Sequence, residues 1–138
     1  MPETISLRDD KVFEDEAVLH LYQRHAWSAA QKPKQLLAAL RQSHSLILAF
    51  AGTKLVGLGS ALSDGHLVVY YPHLLVDPDY QGQGVGRLIM EQMQKRYGHL
   101  HQQMLTADAG AVDFYKRCGF EQAGDTTPMW IYQGHEHG

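Results

Sequence analysis

This 138-residue chain has one cysteine, Cys118, so no internal disulfide can form. It has no excess of basic residues: 12 Lys and Arg stand against 15 Asp and Glu, and a net charge of −3 argues against a nucleic-acid partner. No apolar run approaches the roughly 20 residues that span a bilayer. The first ten residues lack the basic start and apolar core of a secretory signal. We therefore expect a cytoplasmic protein that binds neither nucleic acid nor membrane.

Motifs for metals and for common nucleotides are also missing. The nine histidines are not combined with acids and cysteines at metal-ligand spacing, so we expect no metal. The P-loop pattern needs Gly-Lys followed by Ser or Thr, and it does not occur. The dinucleotide pattern G-x-G-x-x-G fails as well, because its sixth position is Arg87 counted from Gly82 and Ile89 counted from Gly84.

The composition that is present suits one globular domain over residues 1–138, with 44% apolar and 20% charged residues. Helical and strand patterns alternate, which predicts a mixed α/β fold. Apolar residues at helical spacing predict helices at 11–25, 33–40, 85–97 and 108–118. Runs rich in β-forming residues predict strands at 45–51, 55–62, 66–76, 100–106 and 129–132. The first three of these strands are expected to form an antiparallel meander.

A glycine-rich segment lies between the strand at 66–76 and the helix at 85–97. It reads Gln81-Gly82-Gln83-Gly84-Val85-Gly86-Arg87. Such a turn exposes backbone N–H groups at a helix N-terminus, where the helix dipole favours negative charge. Glycines at 84 and 86 let a ligand approach the backbone without meeting a Cβ. The segment therefore predicts a phosphate or pyrophosphate site; the alternative is a tight turn that merely uses glycine.

Residues 75–87 resemble the acetyl-CoA binding motif Gln/Arg-x-x-Gly-x-Gly/Ala of the GCN5-related N-acetyltransferase (GNAT) superfamily. Residues 111–120, Ala-Val-Asp-Phe-Tyr-Lys-Arg-Cys-Gly-Phe, are similar to that family's downstream segment Ala-x-x-Phe-Tyr-x-x-x-Gly-Phe. The two motifs follow in the family's order, with room for one helix and one strand between them. The resemblance implies a twisted mixed sheet with helices on both faces. It also implies that the strands at 66–76 and 100–106 splay apart to admit the pantetheine arm of acetyl-CoA.

The resemblance also implies which residues bind the cofactor. The backbone of Leu75 and Val76 would contact the pantetheine. The pyrophosphate would be enclosed by Gln81, Gly82, Gln83, Gly84, Val85, Gly86 and Arg87. Asp108 stands where the family often has Asn, and its position also suits a helix N-cap.

Tyr115 matches the family tyrosine that approaches the CoA sulfur. A phenol with an ordinary pKa near 10 is protonated at neutral pH and can donate its proton to a departing thiolate. The alternative is that Tyr115 only packs beside Phe114. Cys118 is expected to be a core thiol and not an acyl-accepting nucleophile.

An acceptor amine must lose a proton before it attacks, and no Asp or Glu lies on the strand at 66–76 to remove it. His73 is the first candidate for the base, because an ordinary histidine pKa near 6.5 suits proton removal near neutral pH. Tyr70, which could order a water chain, is the second. Both can reach one pocket only through a bulge, which Pro72 between them favours. The alternative is that His73 packs against a helix on the far face.

These features together predict direct transfer of the acetyl group of acetyl-CoA to a primary amine of a small molecule or a peptide. The acceptor pocket is expected to be built by residues 13–30, 62–66 and 124–133. Trp27, Tyr71 and Trp130 would form an aromatic wall there, with core packing as the alternative for each tryptophan. The second hypothesis is a catalytically inactive CoA-binding sensor or partner-binding module of the same fold. A homodimer is left open, because two-fold dimers are the commonest homo-oligomers.

Overall fold

A computed structural model describes residues 4–135 of the chain. Its helices are α1 Asp15–Gln23, α2 Pro33–Gln42, α3 Val85–Tyr97 and α4 Val112–Arg117. Its strands are β1 Ile5–Arg8, β2 Ser45–Ala51, β3 Lys54–Ser63, β4 Val68–Tyr70, β5 Leu74–Val76 and β6 Gln102–Met104. Short 3-10 turns lie at Ser28–Gln31, Pro78–Tyr80 and Ala109–Ala111. The expected mixed α/β fold is confirmed.

The strands form one mixed sheet in the order β1-β2-β3-β4-β6, with β5 paired to β3 off that path. The contacts among β1, β2, β3, β4 and β5 are antiparallel, whereas β6 joins β4 in parallel. The antiparallel meander expected for residues 45–76 is therefore present. None of the helices within residues 4–135 is long and apolar enough to cross a bilayer.

Alternating side chains of β2 fill two cores, one on each face of the sheet. Leu46 and Leu48 pack with α1 and α2, whereas Ile47 and Ala49 pack with α3. A Cβ on Gly59 of β3 would lie 2.6 Å from Cγ2 of Ile89, so glycine at this position lets α3 pack directly on the sheet. The helices thus cover both faces, as the resemblance implies.

The strand expected at 66–76 is broken in two, because residues 71–73 leave the regular strand path. Pro72 has no N–H for the ladder, which favours an irregularity at this point. Val69 and Tyr71 both pack in the α3-side core, whereas Leu75 packs in the α1-side core. The break has the consequence that β4 pairs with both β3 and β6, while β5 turns away from β6 and stays with β3.

Other elements also differ from the expectations, among them the helix expected at 11–25, which is limited to α1. β1 was not predicted, because alternation of apolar and polar residues over only four positions is too short to indicate a strand. The strand at 100–106 is limited to β6, and the helix at 108–118 begins with a 3-10 turn that contains Gly110, a poor helix former. Residues 129–132 do not form a strand: Met129 is 91% and Ile131 97% exposed, and neither meets the partner strand that an alternating segment needs.

Candidate active site

An open strand edge lies next to the glycine-rich loop. The N–H of Ser60 donates to the carbonyl of His73 (2.9 Å), and the N–H of Asp77 donates to the carbonyl of Val56 (2.8 Å). Because alternate residues of an antiparallel strand face opposite edges, Val76 directs its N–H and C=O away from β3. Leu75 directs its own toward β3, and its side chain is buried on the α1 side. The contact of these two residues with pantetheine stays a prediction, and the geometry favours Val76 as the donor.

The carbonyl of Val76 already has two partners. Nε2 of His25 lies 2.8 Å from this oxygen, and Nε2 of Gln81 donates to it over 3.2 Å. These bonds leave the N–H as the polar group that Val76 can offer at the open edge. Gln81 thereby ties the predicted pyrophosphate loop to the strand that precedes it.

The loop itself has the geometry of an anion site. Gly82 (φ 79°) and Gly84 (φ 85°) adopt left-handed backbone conformations, which glycine tolerates without strain. A Cβ on either glycine would meet nothing within 4 Å, so the space beside both is open. α3 begins directly afterwards, and the N–H groups of its first turn have no acceptor within the helix. These donors, together with the helix dipole, can bind a phosphate.

Gly86 has a packing role in addition to the predicted one. A Cβ there would lie 3.3 Å from Cζ of Phe114 and 3.7 Å from Cγ2 of Val76. Glycine at this position therefore lets α3 approach α4 and β5 closely. Arg87, the last residue of the predicted set, is exposed and donates from Nε to Oε1 of Glu91 (3.1 Å).

A buried carboxylate fixes the start of the loop, which the sequence analysis missed. Asp77 is 1% exposed, and Oδ1 accepts hydrogen bonds from Arg24 (2.7 Å) and from the N–H of Asp79 (2.9 Å). Burial raises the pKa of Asp77, but the Asp79 N–H and the charges of Arg24 and Lys54 outweigh it and hold the pKa below its ordinary value. The sequence did offer one signal, the pair Asp77-Pro78. An aspartate at the start of a turn often accepts a hydrogen bond from the backbone N–H two residues later.

Tyr115 projects from α4 into partly buried surroundings. Its ring packs edge-on against those of Phe114 (5.1 Å between centroids) and Phe120 (6.0 Å). Burial raises the pKa of Tyr115 to about 12, so the phenol keeps its proton at neutral pH. Its role as the general acid stays a prediction, and the environment suits a proton donor.

His73 lies at the break between β4 and β5 and packs against α1. Its Nδ1 lies 2.7 Å from the hydroxyl of Tyr22, and its ring meets those of Tyr22 (5.4 Å) and Trp27 (5.3 Å) edge-on. Burial lowers the pKa of His73 to about 4. The imidazole is therefore neutral at physiological pH and is a weak proton acceptor. The base role stays a prediction with less physical support than the sequence alone gave it.

Tyr70 and Tyr71 point to opposite faces of the sheet. Tyr71 is buried in the α3-side core, where its hydroxyl donates to Oε1 of Gln103 (2.7 Å). Tyr70 is 37% exposed and by alternation faces the α1 side, the side that carries His73. The break thus provides the irregularity that both His73 and Tyr70 need in order to share a face. Tyr71, predicted for the acceptor wall, lies in the core.

The two predicted tryptophans occupy different surroundings. Trp27 packs edge-on against Tyr22 (5.9 Å), next to His73. Trp130 is exposed and stacks on Tyr132 at 4.3 Å with parallel rings. Oη of Tyr132 lies 3.1 Å from Oγ of Ser28, so the C-terminal segment touches the turn that follows Trp27.

Across residues 4–135, no three side chains of His, Cys, Asp or Glu are grouped so that they could hold an ion.

Asp108 and Cys118 are two further residues that the sequence analysis singled out. Asp108 precedes the 3-10 turn, and its carbonyl accepts the N–H of Ala111 (2.8 Å). Burial raises the pKa of Cys118, which keeps this half-buried thiol in its protonated, unreactive form.

Comparison with known proteins identifies this arrangement. Residues 7–129 match the family described as the acetyltransferase (GNAT) domain. The chain belongs to the GNAT family. The resemblance drawn from the two motifs is confirmed.

Three relatives show how far the GNAT likeness extends. A GNAT-family acetyltransferase from Streptococcus pneumoniae TIGR4 superposes with a TM-score of 0.83 at 32% identity, covering 94% of this chain and 99% of that one. GCN5-related N-acetyltransferase 2, chloroplastic, from Arabidopsis thaliana is 40% identical over 73 residues, which are 49% of this chain and 27% of that protein. AAC(6')-Iy, solved with the bisubstrate analog CoA-S-monomethyl-acetylneamine, has a TM-score of 0.72 at 14% identity over 94% of this chain and 99% of its own, which shows the fold alone.

The curated relatives are longer than the part they share with this GNAT domain. The matched segment spans 27% of the Arabidopsis protein and 53% of an uncharacterized N-acetyltransferase, ycf52, from Pyropia yezoensis. The family assignment therefore rests on the shared domain.

Proposed function

We propose that this GNAT protein transfers the acetyl group of acetyl-CoA directly to a primary amine of a small molecule or a peptide. One observation carries the proposal: the open edge of β5 runs into a loop in which the space beside Gly82 and Gly84 is open, at the start of α3. A ligand that fits both features must combine an extended amide-containing arm with a phosphate group. Acetyl-CoA has this combination.

The chain's own residues divide the binding work. The donors of residues 81–87 hold the pyrophosphate, and the N–H of Val76 binds an acceptor atom of the extended arm. Phe114 and Tyr115 on α4 form the opposite wall. Acetyl-CoA supplies a thioester whose carbonyl carbon accepts the amine nitrogen.

Tyr115 completes the transfer. As the amine forms the new N–C bond and the C–S bond breaks, Tyr115 donates its proton to the departing sulfur. The proton that the amine loses passes to solvent, and a proton from solvent restores the phenol of Tyr115. His73, with a pKa of about 4, gives little driving force for removing that proton, so the amine must enter largely unprotonated or lose its proton to water, with Tyr70 in a position to order that water.

The experiment is a turnover assay that follows free-thiol release from acetyl-CoA with a panel of amines. The panel includes neamine, because the analog bound by AAC(6')-Iy carries an acetylneamine group, beside simple amino sugars, amino acid amides and alkylamines. Amine-dependent thiol release with matching N-acetylated product supports the proposal. Calorimetric CoA binding with no turnover across the panel would instead support the inactive CoA-binding module.

A further inference from the structure

A buried hydrogen bond joins α1 to the break between β4 and β5. Oη of Tyr22 lies 2.7 Å from Nδ1 of His73, and Tyr22 is completely buried. Trp27 packs edge-on against both rings, at 5.9 Å from Tyr22 and 5.3 Å from His73. The orientation of the His73 ring is therefore fixed by two aromatic neighbours and one polar contact.

The hydrogen in this contact belongs to Tyr22. Burial raises the pKa of Tyr22 far above its ordinary value, so the phenol keeps its hydrogen. Nδ1 of His73 is the one acceptor that the described part of the chain gives to this hydroxyl. If Nδ1 carried a hydrogen, the phenolic hydrogen would be buried without a partner, which is costly. Tyr22 therefore donates to Nδ1, and the neutral imidazole carries its own hydrogen on Nε2.

Nε2 of His73 is not sealed within the protein. It makes no hydrogen bond to residues 4–135, yet it is not among their fully enclosed polar atoms. Oγ of Ser60, in contrast, is fully enclosed, so a ligand does not reach that hydroxyl.

We propose that Tyr22 is a positioning residue that holds His73 as a hydrogen-bond donor, and that Nε2–H of His73 binds an oxygen atom of the acceptor. This inference rests on the proposed N-acetyltransferase function. A nitrogen that already carries hydrogen cannot take a proton from the amine, so His73 recognises the acceptor and does not deprotonate it. The favoured acceptors are amines with a hydroxyl or carbonyl oxygen close to the amino group, such as amino alcohols, amino sugars and amino acid amides.

The first test compares two acceptors with the same carbon skeleton, 1-amino-2-propanol and propylamine, each at matched concentrations of unprotonated amine. The parent protein should show a kcat/KM at least about 10-fold higher for the amino alcohol, because an unfilled polar site rejects the analogue without oxygen. His73→Phe should abolish this preference, and His73→Gln, which keeps a side-chain N–H donor, should retain most of it.

The outcomes of the two proposals are separable. Equal kcat/KM for the two amines in an active parent protein would overturn the inference and leave the proposed function standing. Absence of turnover with every amine would overturn the proposed function, and the recognition step would fall with it.

The second test needs no turnover. In 15N NMR spectra, the two nitrogens of a neutral histidine have different shifts according to which one carries hydrogen, and His73 of the parent should be protonated on Nε2. Tyr22→Phe, which keeps the ring but removes the donor, should shift His73 toward a mixture of tautomers and reduce the preference for the amino alcohol. His25 serves as the internal reference for a histidine with hydrogen on Nε2, because its Nε2 lies 2.8 Å from the carbonyl oxygen of Val76. A parent spectrum in which Nδ1 of His73 carries the hydrogen would overturn the inference.

Discussion

Gly86 and Phe114 are in contact across the α3–α4 interface: a Cβ on Gly86 would lie 3.3 Å from Cζ of the phenylalanine. Each residue belongs to a different one of the two motifs that identify the family. The contact brings the glycine-rich loop and the segment that carries Tyr115 to the same end of β5. A bulky side chain at Gly86 would therefore disturb packing as well as phosphate binding, which makes Gly84 the cleaner position for a test.

Gly84→Asp should weaken CoA binding by about 10-fold or more relative to Gly84→Asn. Both side chains tolerate the left-handed backbone of Gly84, whereas the aspartate adds a negative charge beside the predicted pyrophosphate. Isothermal calorimetry measures both variants. Pantetheine, which has no phosphate, is the control ligand and should bind the two variants equally. Equal CoA affinities would show that the phosphates lie elsewhere.

Tyr115→Phe should lower turnover on the order of 10²-fold while CoA affinity stays nearly unchanged, because the ring is kept and only the proton donor is lost. Since burial raises the pKa of Tyr115 to about 12, the acid is lost only as the pH rises through that value. The parent pH–rate profile should therefore show no basic limb from Tyr115 between pH 6 and 10. If the Tyr115→Phe variant keeps the parental turnover under conditions in which chemistry limits the rate, Tyr115 has only a packing role.

Arg24→Met should destabilise the fold by about 1–3 kcal/mol, because it leaves the buried Asp77 carboxylate without its closest cation. Arg8→Met is the matched control, since Arg8 pairs with Asp10 at the surface, where both side chains are about half exposed. The control should change stability by no more than about 0.5 kcal/mol. Urea denaturation compares the two variants, and equal losses would mean that the Asp77 pair contributes no more than a surface pair.

His73 should make stability depend on pH between about 4 and 6.5. Its pKa is about 4 in the folded protein against 6.5 for an ordinary histidine, so the unfolded chain binds more protons in this window. Stability from this group is complete above pH 6.5 and is lost as the pH falls toward 4, by roughly 3 kcal/mol. In urea unfolding at pH 7 and pH 4.5, His73→Gln should lose less stability than the parent protein. His99→Gln, at an exposed position, should behave like the parent, and a parental response from His73→Gln would contradict the assignment.

Local sequence patterns predicted the parts of this molecule that depend on near neighbours. The glycines of residues 81–87 define the loop, and Pro72 indicates the break in the strand. The pairing of Tyr22 with His73 could not be predicted, because it joins residues 51 positions apart and depends on how α1 packs across the sheet. The same holds for Arg24 and Asp77, which are 53 positions apart. The low pKa of His73 follows from that packing, so the sequence alone gave the base role more support than the folded environment does.

The one-sided pairing of β5 has a consequence for motion. Because the N–H of Val76 faces away from β3, it should exchange with deuterium in the solvent much faster than the amides of β2 and β3, whose ladders run the length of the sheet. A bound acetyl-CoA arm would occupy this N–H and slow its exchange. The exchange rate of this one amide would then show, without any turnover, when acetyl-CoA is bound.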